Sequence, residues 1–229
     1  MLGQQVDHLA AVGGPLELLE RLERLYTAVV ADALDKVGVR DNVMTPDVRP
    51  LFPEAKLAGF AFTVRAVEVE VVPEDPADNY RNELRAVDLL SAGDVMVVST
   101  IGRSLWGELL ATAARHRGAR GVVIDGYTRD AKALVNMQFP TFVTGIQCQD
   151  SLGRVDFAEL QLPVQCGGVT VRPHDLLLAD FDGVVVVPRE HANEVLSLAE
   201  AKVASENKMR TRLGEGVAVT EAFREYQVL

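Results

Sequence analysis

The stretch GVVIDGYTRDAK, residues 121–132, decides how the rest of the chain is read. Four apolar residues suited to a buried strand run into Asp125-Gly126, and then into Arg129-Asp130 at the start of a helical pattern. A strand that leaves a core, turns and enters a helix is the unit of an α/β protein, and the carboxyl edge of such a sheet is where ligands gather. From these residues alone, two readings of the charged pair stay open. In one, the turn is solvated and Asp130 complements the dipole of the helix that follows. In the other, the planar fork of Arg129 reads a carboxylate or an enolate oxygen. Asp130 then offers the hard oxygen ligand that Mg2+ and Mn2+ prefer.

Working outward, strands and helices alternate. From Pro15, leucines at 16, 18, 19, 22 and 25 and then Ala, Val and Leu to Leu34 predict an amphipathic helix. It is broken in two near Tyr26-Thr27 and stopped by Gly38. Residues 59–72 alternate as a strand with one buried face, and PEDPADN (73–79) is a loop. Residues 80–90 read as a helix and GDVMVVS (93–99) as a short buried strand. RSLWGELLATAARHRG carries Leu105, Leu109 and Ala113 on one helical face and closes at Gly118. Further strands fall near PTFVTG, VTVR, DLLLAD and GVVVVP, the last two joined by a tight Asp182-Gly183 turn. A helix follows from about Arg189 to Arg212, with a short one near 220–226; the first dozen residues carry no pattern and are expected to be loosely ordered. The order of elements predicts an α/β chain with a mixed sheet in one domain.

Composition bounds the function. A net charge of −10 is a poor match to a polyphosphate backbone, so a nucleic-acid partner is not expected. An anionic small substrate stays open, because a local arginine and a metal reverse the field inside one pocket. No run approaches the roughly 18 apolar residues of a membrane span. Two cysteines, Cys148 and Cys166, are too few for a disulfide framework or a thiolate zinc site and read as reduced thiols of a cytoplasmic protein.

A second constellation lies in RSLWGELLATAA. Gly102 and Gly107 permit close backbone approach, and the N–H groups of Gly107, Glu108, Leu109 and Leu110 at a helix start suit an anionic carboxylate. A plain strand–helix connection capped by Ser104 is the alternative. Taken with VADALDKVG (30–38), GDVMVV (93–98), WGELLATAA (106–114), GARGVVIDGYTRD (118–130) and CGGVTVRPHDLLLADFDGVVVVP (166–188), these segments resemble the RraA-like family. That family includes 4-hydroxy-4-methyl-2-oxoglutarate aldolases and oxaloacetate decarboxylases. The resemblance covers roughly Tyr26 to Leu213.

The resemblance implies a single-domain layered α/β/β/α sandwich of the phosphohistidine-swivelling-domain kind. It places the domain at 26–213, after a partly helical flank (1–25) and before a tail with a short helix (214–229). It further implies a cradle for a 2-oxo acid carboxylate at Gly107, Glu108, Leu109 and Leu110, substrate contact by Arg129, and a divalent cation, Mg2+ or Mn2+, on Asp130. Glu108 falls where the family places a carboxylate that orders water. Glu206 falls where a neighbouring subunit supplies another, as in homotrimers or hexamers with the site at the subunit boundary. Cleavage of a 4-hydroxy-2-oxo acid or decarboxylation of oxaloacetate then leaves a pyruvate enolate, which cation and guanidinium stabilise. The other branch of the family binds ribonuclease E without catalysis and lacks the Arg-Asp pair. STIGRS (99–104) departs from the family's connection here, so that Arg103 either meets a second substrate carboxylate or faces water. His174 stands where glycine is usual and reads as a surface or satisfied residue, Lys132 as solvated and Asp180 and Asp182 as turn chemistry; Asp32 reads as a structural helix residue whose buried carboxylate bonds backbone amides, with an approach to the site as the alternative. Neither His116 nor His174 lies in the exposed glycine-rich turn that a phosphohistidine carrier needs.

Overall fold

The computed structural model describes residues 15–229, so the expectation for the first dozen residues lies outside the described part. Helices α1 (Pro15–Glu23) and α2 (Thr27–Lys36) follow the predicted break. Tyr26 is extended between them (φ −129°, ψ 157°), and the Asp180 carboxylate accepts the Thr27 N–H at 2.9 Å and the Thr27 hydroxyl at 2.6 Å. A carboxylate distant in sequence therefore satisfies the first orphan donor of α2, the task usually given to a capping side chain.

Strands β1 (Arg49–Pro50), β2 (Leu57–Glu68), β3 (Asp94–Val98), β4 (Ser104–Trp106), β5 (Gly121–Thr128) and β6 (Thr141–Ile146) belong to one large mixed sheet. So does β7 (Val155–Leu160). Strands β8 (Val164–Cys166) and β9 (Val169–Val171) form a separate hairpin, and β10 (Leu176–Asp180) and β11 (Gly183–Val187) complete the large sheet. Its order is β1-β6-β5-β3-β2-β10-β11, with β4 beside β5 and β7 beside β2. The β2, β3, β5 and β6 pairings are parallel, with crossovers through α3 (Arg81–Asp88), α4 (Glu108–His116) and α5 (Ala131–Met137). The two ends of the sheet nearly meet, giving it a barrel-like shape. Residues 42–44, just before β1, exchange backbone hydrogen bonds with Val184 and Val186 at 2.8–2.9 Å, and the Arg49 guanidinium reaches the Phe181 carbonyl at 2.7 Å. The C-terminal helices α6 (Ala192–Gly214) and α7 (Val219–Tyr226) close the chain.

Three apolar clusters account for the long apolar runs. Val95, Val97, Val123, Phe142, Leu177 and Val186 face the barrel interior, which the β8–β9 hairpin plugs with Val164, Cys166 and Val171. Val98, Val122 and Ile124 point the other way, under α3, α4 and α5. On β10 and β11, Leu176, Leu178, Val185 and Val187 pack beneath α1, α2 and α6. Strands covered on both faces need no polar alternation, which is why GVVI, DVMVV and GVVVV read as unbroken apolar runs. Among the described residues, no helix is long and apolar enough to cross a membrane.

Two expectations are corrected. The strand over 59–72 was expected to have a single buried face; β2 is buried on both faces through Val64 and alternates only after a register shift between Arg65 and Ala66. Ser104 to Trp106 form a strand rather than the first turn of a helix. Gly107 is fully extended (φ −155°, ψ −173°), so α4 starts late and its buried face is Ala111 and Ala114, leaving Leu109 77% exposed. Asp180→Ala removes the anchor of α2 and is expected to lower stability by about 1–2 kcal/mol. A urea midpoint that falls while the slope stays constant is the expected reading.

Candidate active site

The site arises where β5 changes neighbours. Through Ile124 the strand pairs with β3; beyond it, β4 takes that place, with Ser104 opposite Tyr127 and Trp106 opposite Thr128. Asp125 secures the switch: one carboxylate oxygen accepts the Gly167 N–H at 3.0 Å and also the Thr100 hydroxyl, tying the loop after β3 and the β8–β9 turn to β5. Asp125 is thus a structural carboxylate, and the strand it steadies delivers the next charged pair to the sheet edge.

Arg129 and Asp130 are fixed by backbone first. The Arg129 N–H donates to the Trp106 carbonyl at 2.8 Å and the buried Thr128 hydroxyl donates to the same oxygen at 3.0 Å. Asp130 then adopts left-handed geometry (φ 54°) and opens α5, its carbonyl accepting from the Ala133 N–H at 2.8 Å. This turn seats its carboxylate against the start of α4: Asp130 Oδ2 accepts the Glu108 N–H at 3.2 Å. The contact requires glycine at 107, since a Cβ there would lie 2.6 Å from Asp130 Oδ2 and 3.3 Å from Arg129 Cγ. Asp130 Oδ1 has no hydrogen-bond partner among the described residues.

The guanidinium of Arg129 is held from the far side. Its Nη1 lies 3.0 Å from Asp150 Oδ1, while Asp150 Oδ2 accepts the Tyr80 hydroxyl at 2.6 Å. That bond, with partial burial, raises the Tyr80 phenol above its ordinary value. These residues border a cavity of about 280 Å³ whose walls also include Leu84, Leu105, Leu109 and Leu110. Glu83 lines it and is 3% exposed; one carboxyl oxygen accepts the Ser151 hydroxyl at 3.2 Å and the other has no partner among the described residues. Burial pushes this carboxyl up to about 7, against the opposing pull of Ser151.

Of the residues singled out from sequence, the cavity gathers Gly107, Leu109, Leu110, Arg129 and Asp130. The Glu108 side chain is not among its walls; its Oε1 accepts the Thr112 hydroxyl at 2.8 Å, one turn along α4. Glu206 sits on α6, accepts the Tyr26 hydroxyl and lies 3.7 Å from the Lys202 ammonium, away from the cavity within this chain. The Arg103 side chain is 40% exposed and paired with Glu68 at 2.8 Å, and it is not among the cavity walls. Asp32 is exposed and paired with Lys202, so the expected buried carboxylate bonded to backbone amides is corrected. His174 and Lys132 are exposed as expected, and Asp180 accepts the Asp182 N–H at 3.0 Å within its turn. Cys166 is buried, which raises its thiol, and Cys148 is exposed. Sequence reading missed Tyr80, Glu83, Asp150 and Ser151, which carry no local motif and meet Arg129 only through the fold.

The donor set also bears on a cation. Among the described residues no group of three or more His, Cys, Asp or Glu is arranged as a cage. A single carboxylate with one free oxygen at a cavity edge is the pattern of Mg2+ or Mn2+, which keep water and take substrate oxygens. Asp130 fits such an ion and does not fit a site built wholly from protein ligands.

A barrel-like mixed sheet with an Arg-Asp pair at the edge of one strand defines the class. A family model for RraA-like proteins (Aldolase/RraA) matches residues 27–186, and the chain belongs to that family. It is 29% identical over 216 residues to a protein of Halalkalibacterium halodurans named "Putative 4-hydroxy-4-methyl-2-oxoglutarate aldolase", covering 93% of this chain and 96% of that one. It is 28% identical to Protein DlpA of Legionella pneumophila over 91% of its own length, but spans only 34% of DlpA. Among solved structures, an uncharacterised protein of Pseudomonas syringae superimposes with a TM-score of 0.79 at 30% identity, covering 90% of this chain and 96% of that one. Streptomyces coelicolor RraAS2, described as an unusual member of the RNase ES inhibitor RraA family, gives 0.75 at 28% identity, covering 86% and 96%.

Glu83 gives the site a stability signature. Its carboxyl is raised from 4.5 to about 7 in the folded chain, so between these values the folded state holds a proton that the unfolded state has lost. The stabilising contribution is therefore complete below pH 4.5 and is lost as pH rises through about 7. Glu83→Gln keeps an acceptor for Ser151 and removes this dependence. Urea denaturation is expected to show the variant gaining on the parent by on the order of 3 kcal/mol between pH 4.5 and 8. A gap that does not widen over that range would mean Glu83 is not held protonated.

Proposed function

We propose that this chain is a divalent-metal-dependent lyase, a class II pyruvate aldolase. On this reading it cleaves 4-hydroxy-2-oxo acids of the 4-hydroxy-4-methyl-2-oxoglutarate type to pyruvate and also decarboxylates oxaloacetate. The observation that carries the reading is the convergence of Arg129, Asp130 and the first turn of α4 on one cavity. The names of relatives support a lyase, and the RraA-like family supports the site's general chemistry.

On this reading the first turn of α4 binds the substrate carboxylate through its free N–H groups, with the helix dipole in the same sense. Asp130 would hold Mg2+ or Mn2+, and that ion would supply Lewis-acid polarisation of the 2-oxo group. Arg129 donates to the oxygen on which charge grows as the C3–C4 bond breaks. Asp150 keeps that guanidinium in place, so no reorganisation is needed when the charge appears. The 4-hydroxyl proton passes to a water held by Glu108 and by Glu206 of the partner subunit. Within one chain Glu206 faces Tyr26 and Lys202, so this role depends on a homotrimer or hexamer with its site at the subunit boundary.

The fold match to RraAS2 favours a second reading, a non-catalytic regulator that binds ribonuclease E. One assay separates the two. Protein is incubated with 4-hydroxy-4-methyl-2-oxoglutarate or oxaloacetate, with Mg2+ or with EDTA, and pyruvate is coupled to lactate dehydrogenase. Pyruvate release well above the metal-only rate is expected, abolished by EDTA and by Asp130→Asn, and lowered roughly 10²–10³-fold by Arg129→Lys. Equal rates with and without protein, alongside capture by ribonuclease E, would select the regulator.

A further inference from the structure

Behind Arg129 runs a chain of contacts that ends in a carboxyl group to which the reaction assigns no task. Glu83, on α3, is 3% exposed and lines the cavity. Its Oε2 accepts the Ser151 hydroxyl at 3.2 Å, and the Ser151 N–H donates to Asp150 Oδ1 at 2.9 Å. That same Asp150 oxygen lies 3.0 Å from Arg129 Nη1, while the Tyr80 hydroxyl donates to the other at 2.6 Å. Every link lies within one chain, so none of them waits on a partner subunit. Glu83 Oε1 has no hydrogen-bond partner among the described residues, so a negative charge on this carboxyl would be poorly satisfied.

We propose that Glu83 is a positioning residue of this site: in its uncharged form it seats Ser151 and Asp150, and through them it sets the direction of the Arg129 guanidinium. On the aldolase reading, on which this inference rests, it thereby controls the donor that meets the developing charge. The charged groups around Glu83 explain why it must be neutral. Asp150 stands on the loop after β6, Asp156 on β7 and Tyr80 at the head of α3, and Asp130 borders the same cavity. On the outer side Asp78 and Arg81 are paired with each other. Arg154 donates to the Asp150 and Leu152 carbonyls at 3.2 Å, and Arg117, just past α4, is paired with Asp88 at 2.6 Å. From α4 itself the lining takes only Leu109 and Leu110. Among the described residues, Arg129 is the one cationic residue lining the cavity. An ionised Glu83 meets like charge from Asp150 and Asp156 and draws Arg129 towards itself, away from the oxygen on which charge grows. Burial raises this carboxyl to about 7, so that state is reached just above neutrality.

The test follows pyruvate release from 4-hydroxy-4-methyl-2-oxoglutarate by full-length protein with saturating Mg2+, from about pH 6 to about pH 8. Circular dichroism confirms the folded state at each pH. Glu83→Gln keeps an acceptor for Ser151 and cannot ionise. The ratio of parent to Glu83→Gln kcat is expected to fall about tenfold or more across that range while KM moves little, because orientation of Arg129 counts in the transition state. Groups common to both proteins, the base for the 4-hydroxyl proton among them, cancel in this ratio. Ser151→Ala cuts the chain at its middle link and is expected to lower kcat about tenfold with KM nearly unchanged; it stands as the test should Glu83→Gln not fold. A ratio that stays level with pH, or Ser151→Ala turning over as fast as the parent, overturns the inference and leaves the aldolase reading standing. Absence of pyruvate from the parent at every pH takes away the aldolase reading, and the inference with it.

Discussion

The contact between the Asp130 carboxylate and the backbone at Gly107 governs the geometry of the whole site. It joins the ends of two strands and the starts of two helices at one point: β4 leads to Gly107 and α4, and β5 leads to Asp130 and α5. The approach is so close that a single methyl at 107 would displace either the carboxylate or the strand. The left-handed turn at Asp130 is the other half of the device. A non-glycine residue at φ 54° is uncommon, and aspartate is among the side chains that tolerate it, helped here by a bond to the Glu108 N–H. Backbone pairing of Arg129 and Thr128 with the Trp106 carbonyl supplies the rigidity that keeps this arrangement.

From that point the electrostatics follow. Arg129 cannot swing freely, because Asp150 holds its outer edge and Tyr80 holds Asp150. The guanidinium is therefore partly neutralised before any ligand arrives, and its value to a reaction lies in fixed orientation more than in net charge. Glu83 lies behind the same wall, bonded to Ser151, the chain neighbour of Asp150. Ionising it in this poorly solvated place is costly, and Asp150 adds like charge, which is the physical sense of its upward shift. An acidic protein thus keeps one oriented cation in a cavity rich in carboxyl groups, a setting suited to a divalent ion that an unbalanced anion does not share.

What could be read from the sequence follows the same physics. Runs such as GVVI and GVVVV were legible as strands because both faces of the sheet are covered. The helix break at Tyr26-Thr27 was legible although its cause, Asp180, lies in another part of the chain. Strands β7 and β8 were not, since VDFAEL and VQC are short and mix polar with apolar residues. Ser104 to Trp106 looked helical because Leu105 and Leu109 are four residues apart; the extended backbone at Gly107 breaks that phase and turns Leu109 outward. At the site, Arg129 and Asp130 were visible because they adjoin at a strand end. Tyr80 with Asp150, and Glu83 with Ser151, are 70 and 68 residues apart and carry no pattern, so only the fold unites them.

The division of labour among carboxylates is set by what each one already holds. Asp125 and Asp180 resemble Asp130 in sequence, each lying at or near a strand end. Yet Asp180 spends both oxygens on Thr27 and the Asp182 N–H, and Asp125 spends one on the Gly167 N–H and the Thr100 hydroxyl and does not line the cavity. Those bonds make both residues part of the scaffold. Asp130 spends one oxygen on the Glu108 N–H and keeps the other at the cavity edge. Chemical availability in this protein therefore takes both unspent hydrogen-bonding capacity and a place at the cavity. At this cavity, among the described residues, Asp130 and Glu83 each keep an unpartnered carboxyl oxygen, beside the unpartnered Ser104 hydroxyl and Trp106 indole N–H.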